Sequence, residues 1–270
     1  MIQQQLPPFF NVVATGIATL RVPKFQATMN RIILRLGGTT FTKAMITDIK
    51  LKIGVRTVYN ITGPRLDAIN KYKGIYDNAS FLTIDFTERD APTLQGKEIG
   101  GYDLSVLRDE LTIEVTIAGA TAPTLTASAW MTPPQGNALI SKILYFPTST
   151  SVAGKFPISF NPQGALIKRV HFFYAGTDWT GVANGNLNKV EVKKNGGTLF
   201  ESECLEARFT QQEYRKVPQS RLFTYDPIVD NNANGYLVTA DARSLEFNTW
   251  LTAADAINVY VEMLDAPNNA

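Results

Sequence analysis

Residues 29–74, MNRIILRLGGTTFTKAMITDIKLKIGVRTVYNITGPRLDAINKYKG, hold three apolar runs followed by a short helical pattern. Ile32, Leu34 and Leu36 keep a period of two across Ile33 and Arg35 and stop at Gly37-Gly38, which is how a half-buried strand ends in a tight turn. Ile46 to Ile53 repeats the alternation, and a third run closes on Tyr59. Gly63-Pro64 then places a proline at a helix start, and Leu66, Ile69 and Tyr72 fall on one helical face. On either side, Ile17 to Val22, Phe81 to Phe86 and Leu111 to Ile117 also read as strands. Asp103 can cap a turn that carries Leu104 and Leu107.

The same pattern returns later in the chain. At an offset of 138, Gly16 falls on Gly154, Ala27 on Ala165, Arg31 on Arg169, Gly38 on Gly176, Thr39 on Thr177 and Thr42 on Thr180. Ordinary residue usage yields roughly one or two such identities in a window of this length. The apolar phase is kept as well: Ile32 meets Val170, Leu34 meets Phe172, and Phe41 meets Trp179. The offset becomes 141 from Ile49 on Val190 to Leu82 on Phe223, then 134 at Leu111 on Leu245, and 132 at Leu125 on Ile257. Offsets that change only between apolar segments are the mark of loop insertions in a duplicated domain.

Pro133, Pro134, Gly136 and Asn137 punctuate the join, so the expected domains are residues 1–138 and 139–270. Many short strands with Gly, Pro and Asn turns predict an all-β chain of two tandem jelly-roll β-sandwich domains with short helical inserts. An immunoglobulin-like sandwich is the nearest rival. The jelly roll is preferred because the helical insert recurs after the equivalent strand, around Leu205, Phe209 and Tyr214.

With 270 residues, each half is long enough to own a core. Hydrophobic residues at 44% and charged ones at 19% are ordinary globular usage. The 26 basic and 24 acidic residues are interspersed, which disfavours specific nucleic-acid binding. The start, MIQQQLPPFF, has no basic and apolar signal pattern, which leads us to expect synthesis and folding in the cytosol.

Little in the sequence points to chemistry. His171 is the only histidine, which rules out triads and zinc sites that need two. It is expected beside Arg169 on the strand face opposite Val170 and Phe172, a face turned outward or against another domain. Cys204, the only cysteine, lies among acidic residues that raise a thiol pKa and so argue against a nucleophile. Glu201 with Glu203 and Asp109 with Glu110 are the carboxylate pairs a glycosidase would need, and they are read here as solvated charges. No catalytic residue and no required cofactor is expected. The loop Asp226-Pro-Ile-Val-Asp-Asn-Asn-Ala-Asn-Gly235 gathers the oxygen ligands of a hard cation, and Asp226 and Asp230 are the candidate calcium ligands. The same residues are also turn formers.

The order of elements in residues 29–74, together with the duplication, resembles double jelly-roll major capsid proteins of the tectivirus and corticovirus type, most of all corticovirus coat proteins. The resemblance is architectural, covers nearly the whole chain and supplies no catalytic residues. It implies self-association as homotrimers with six pseudo-equivalent lobes, contacts with other virion proteins, and an icosahedral shell over an internal membrane. Two other readings stay open. A glycan- or receptor-binding β-sandwich needs an exposed aromatic platform, and Trp179, aligned with Phe41, looks instead like a buried anchor. A two-jelly-roll glycan hydrolase needs a carboxylate constellation.

Overall fold

The computed structural model describes residues 2–160 and 162–269. It separates into two compact units: Met1–Lys71 with Ile75–Leu144 and Leu264–Ala270, and Tyr72–Gly74 with Tyr145–Met263. In chain order the first half runs β1 (Ile2–Gln5), β2 (Gly16–Val22), β3 (Thr28–Thr40), β4 (Ile46–Ile53), β5 (Arg56–Ile61), α1 (Gly63–Tyr72), β6 (Phe81–Asp85), α2 (Leu94–Glu98), β7 (Tyr102–Asp103), β8 (Leu111–Ile117) and β9 (Thr121–Thr132). The second half runs β10 (Ile140–Thr150), β11 (Gly154–Ile158), β12 (Leu166–Phe173), β13 (Leu187–Lys194), β14 (Gly197–Glu203), α3 (Cys204–Glu213), β15 (Leu222–Tyr225), β16 (Leu237–Val238), β17 (Leu245–Leu251) and β18 (Asp255–Asp265).

Both units are jelly rolls with one topology. In the first, strands in the order β1-β9-β3-β6, with β7 also on β3, make one sheet, and β5-β4-β8-β2 make the other. In the second, β10-β18-β12-β15 with β16 on β12 and β14-β13-β17-β11 repeat that order strand for strand. The register repeats too. Ile32 lies opposite Ile84 and Leu34 opposite Leu82. Their sequence equivalents, Val170 with Tyr225 and Phe172 with Phe223, are likewise opposite. Leu51 lies opposite Ile113 and Tyr59, as Val192 lies opposite Phe247 and Phe200. A slip of one residue would turn every core side chain to the wrong face, so the shared register is a strong constraint and follows the offsets read from the sequence.

The helical inserts also correspond. Gly63 opens α1 where the chain passes close to the carbonyl of Lys43; a Cβ there would lie 2.4 Å from that oxygen. The Asn70 amide donates to the Thr83 carbonyl at 2.7 Å, and the Gln211 amide of α3 donates to the Thr224 carbonyl at 2.7 Å. Each helix is thus pinned to the equivalent strand of its own repeat. In α3 the buried side chains are Cys204, Ala207, Arg208 and Gln211, whereas Phe209 and Tyr214 of the sequence pattern are exposed. The short helix α2 has no counterpart among the sequence signals, since only Leu94 and Ile99 are apolar there; it is capped by the Thr93 hydroxyl. Asp103 does make its turn, accepting from the Ser105 backbone and from Gln135 and Gly136.

Each core lies between its two sheets. In the second unit Phe160, Phe172, Phe223, Tyr225 and Phe247 form a continuous aromatic group with ring centroids 4.5–6.3 Å apart. The first unit has Val22, Leu34, Leu82, Ile84 and Ile113 at the equivalent positions, all buried. Aromatic side chains in one unit are answered by aliphatic ones in the other, and the apolar pattern is preserved.

Candidate functional site

Period-two alternation puts Val170 and Phe172 in the core of the second unit and turns Arg169 and His171 to the other side of β12. That outer face is fully buried: Arg169 and His171 have no solvent exposure, and Glu262 on β18 and Thr224 on β15 have 1%. His171 is therefore not at an outward surface. Alternation tells which residues share a face, but not what covers it. Here Tyr72 and Lys73, at the end of α1, take part in the cover. The Tyr72 hydroxyl donates to Asp226 Oδ2 at 2.9 Å, and its ring meets the His171 ring edge-on with centroids 6.2 Å apart. Lys73 pairs with Glu262.

The result is a buried cluster of charge. Arg169 Nε lies 3.0 Å from Asp226 Oδ2 and its Nη1 lies 3.5 Å from Glu262 Oε2; Lys168 Nζ lies 3.4 Å from Glu262 Oε1. His171 Nδ1 is 3.0 Å from the Thr224 hydroxyl and Nε2 is 3.6 Å from Glu262 Oε2. Burial opposes the Glu262 charge, but Lys73, Lys168, His171 and Arg169 outweigh it and hold the carboxyl well below the usual range. Burial lowers the His171 pKa against the pull of Glu262, and Lys73 and Arg169 lower it further, so the ring stays neutral. Burial first and then Asp226 raise the Tyr72 pKa, which keeps its hydroxyl a donor. Nothing here presents a reactive group to solvent. The arrangement joins strands and turn by polar contacts that a substrate could not reach.

The other sequence candidates are placed apart. Asp226 is committed to Tyr72 and Arg169 through Oδ2, and its Oδ1 accepts from the Ile228 backbone at 3.2 Å. Asp230 is exposed and accepts from the Asn232 backbone at 2.9 Å. Among the described residues no three His, Cys, Asp or Glu side chains gather as a metal site. Glu201 and Glu203 are exposed, the first paired with Lys189 and the second near Asn184. Cys204 is buried, and its thiol pKa is pushed up to about 12, mainly by burial and with help from Glu203. Trp179 is half-buried, with Arg208 over its ring at 4.7 Å and its indole N–H donating to the Gln219 carbonyl. Sequence reasoning missed Tyr72, Lys73, Lys168 and Glu262. The signal available was the identity of Arg31 with Arg169 and Asp85 with Asp226, an ion pair repeated in both units.

Comparison with known proteins accounts for a site without chemistry. Residues 3–132 match the viral coat protein P2 N-terminal domain, and residues 140–267 match the viral coat protein P2 C-terminal domain. No curated protein sequence matches the chain. Among solved structures, the major capsid protein P2 from bacteriophage PM2 superposes with a TM-score of 0.87 at 17% identity, over 98% of this chain and 97% of that one. The protein of Sulfolobus turreted icosahedral virus gives 0.73 at 13% identity over 98% and 91%. The capsid protein of PBCV-1 virus gives 0.66 at 11% identity over 97% and 92%. At such identities these likenesses establish the double jelly-roll fold, and the two family domains establish the rest. With both domains present in order across residues 3–267, the chain belongs to the viral coat protein P2 family, a structural component of the virion and not an enzyme.

Proposed function

We propose that the chain is the major capsid protein of an icosahedral virus, built into the shell as homotrimers over an internal membrane. The observation that carries the trimer is the repeated strand order and register of the two jelly rolls. A shell made largely of six-coordinated positions can be tiled by a block with six similar sides, and a duplicated domain lets three chains supply them. Closed cyclic symmetry then requires head-to-tail contacts between unlike surfaces. Interfaces of this obligate kind bury on the order of 2,000–5,000 Å², which leaves little free monomer. Light scattering at micromolar concentration tests this: three chain masses are expected, and a monomer or a two-fold dimer overturns it.

The internal membrane and contacts with other virion proteins rest on the family likeness alone. Particles built from this coat and lacking phospholipid would remove the membrane from the proposal. We place the border of the two jelly rolls at residue 138, and synthesis in the host cytoplasm. Calcium at Asp230 with Asp226 is tested by thermal melting. A calcium-dependent rise in Tm that is lost in Asp230→Ala supports a weak site, and an equal rise in both proteins removes it.

A further inference from the structure

The two repeats differ in what covers the outer face of the sheet that holds β3 in the first and β12 in the second. In the second unit the face made by Arg169, His171, Thr224 and Glu262 is buried, and Tyr72–Gly74 lie on it. These three residues are the turn that ends α1. Their equivalents at the offset of 141 are Glu213, Tyr214 and Arg215, the turn that ends α3. The backbones agree. Gly74 and Arg215 both have a left-handed φ, +73° and +61°. Ile75 N–H donates to the Asn70 carbonyl at 2.9 Å, and Lys216 N–H to the Gln211 carbonyl at 2.8 Å. An arginine held in that conformation keeps the turn in a shape that suits glycine better.

Among the described residues the second turn lies on no such face, and the first face carries no such turn. Glu213, Tyr214 and Arg215 are exposed, Tyr214 by 48%. Phe209, about one turn earlier on α3, is exposed too. In the first unit the equivalent face carries Arg31, Ile33 and Trp130 half-buried, with Arg35 and Phe81 exposed. Its residues map one to one onto the covered face: Arg31 on Arg169, Ile33 on His171, Thr83 on Thr224, Asp85 on Asp226, and Trp130 on Glu262. The Arg31–Asp85 ion pair, at 3.6 Å, repeats Arg169–Asp226.

We propose that in the assembled coat Glu213–Arg215 of one copy docks on this face of a second copy, with Tyr214 against Trp130 and Glu213 against Arg31. The partner is a second copy because turn and face are the unmatched halves of a contact the chain already makes once. The changes between repeats are paired. Lys73 on the turn meets Glu262 on the face, a charge with a charge; Tyr214 on the turn answers Trp130 on the face, a ring with a ring. Where Tyr72 gives way to Glu213, His171 gives way to Ile33 and Phe173 to Arg35, so the incoming carboxylate meets Arg31 and Arg35. The Trp130 indole N–H, buried without a hydrogen-bond partner among the described residues, gains an acceptor in the Tyr214 hydroxyl or the Glu213 carboxylate. Aromatic pairs beside an arginine are the usual energetic centre of an interface. The contact runs head to tail and rests on the trimer reading above.

Exchanging the chemistry tests it. Tyr214→Lys and Trp130→Glu, made singly, are each expected to weaken the trimer at least about tenfold by concentration-dependent light scattering. Combined, they recreate the Lys73–Glu262 type of pair and are expected to return affinity toward wild type, with a greater sensitivity to salt than wild type. Single variants as trimeric as wild type, or a double variant no better than the worse single, overturn the inference and leave the trimer standing. A monomeric wild type overturns the trimer reading itself. Should a single variant lose its fold by circular dichroism, Tyr214→Cys/Trp130→Cys decides: oxidation is expected to link chains covalently, and a chain that stays unlinked while trimeric overturns the contact.

Discussion

As pH falls through about 6.5 the unfolded chain takes up a proton on the His171 imidazole more readily than the folded chain does. Burial opposes charging the ring, and Lys73 and Arg169 add to it, against Glu262 alone. The folded pKa is lowered, so the unfolded state binds more protons and stability falls as pH drops below about 6.5, by at most about 1.4 kcal/mol per pH unit. Urea denaturation across that range should show the slope in wild type and lose most of it in His171→Gln. Glu262 behaves in the same sense at lower pH: its carboxyl is held well below the usual range, and the stability it lends is lost as pH falls below about 4.5. Glu262→Gln at neutral pH leaves Lys73, Lys168 and Arg169 with Asp226 as the remaining carboxylate of the cluster. A loss of about 3–5 kcal/mol is expected, because removing one partner strands buried charge.

At the scale of elements, the hydrogen bond from each helix to its own repeat is a small part with a measurable share. Asn70→Ala leaves the Thr83 carbonyl without its amide donor and should cost about 1–3 kcal/mol by chemical denaturation, and Gln211→Ala should cost a similar amount at Thr224. Phe247, stacked on Phe160 at 4.5 Å and fully buried, is the larger element of the second core; Phe247→Ala should cost about 3–5 kcal/mol. Strands were legible in the sequence because period-two alternation is written in the residues themselves: Ile46–Ile53 and Leu111–Ile117 fall where the pattern puts them. The equivalences between repeats reappear in the observed pairing, since keeping a core fixes register. Burial of the outer face of β12 was not legible. Lys168, Arg169 and His171 read as surface residues by type, and Tyr72 and Lys73, distant in sequence, help to make them interior. The α3 face was misjudged for a related reason. Phe209 and Tyr214 carry the apolar signal, while Arg208 and Gln211 are the buried side chains, held by hydrogen bonds to Tyr174, Leu222 and Thr224.

For the whole molecule, the borders drawn by sequence and by packing are not the same. The second unit takes Tyr72–Gly74 from the first half of the chain, and these residues reach both Asp226 and Glu262. A fragment of residues 139–270 would hold every strand of the second jelly roll and its aromatic core. It would lack the phenol on Asp226 and the ammonium on Glu262. Arg169, Lys168 and His171 would then face water instead of a packed tyrosine, and the neutral state of His171 would no longer be enforced. The core predicts that the fragment collapses into a β-rich state. The missing turn predicts that this state melts at lower temperature than the second unit does in the intact chain, and that His171 regains a pKa near 6.5 by NMR titration. A fragment with an intact-chain Tm and a His171 that titrates as it does in the intact chain would mean that Tyr72 and Lys73 contribute nothing to the second unit. A fragment of residues 63–74 added in excess should raise the Tm of the shorter chain if the turn acts as a ligand of that face.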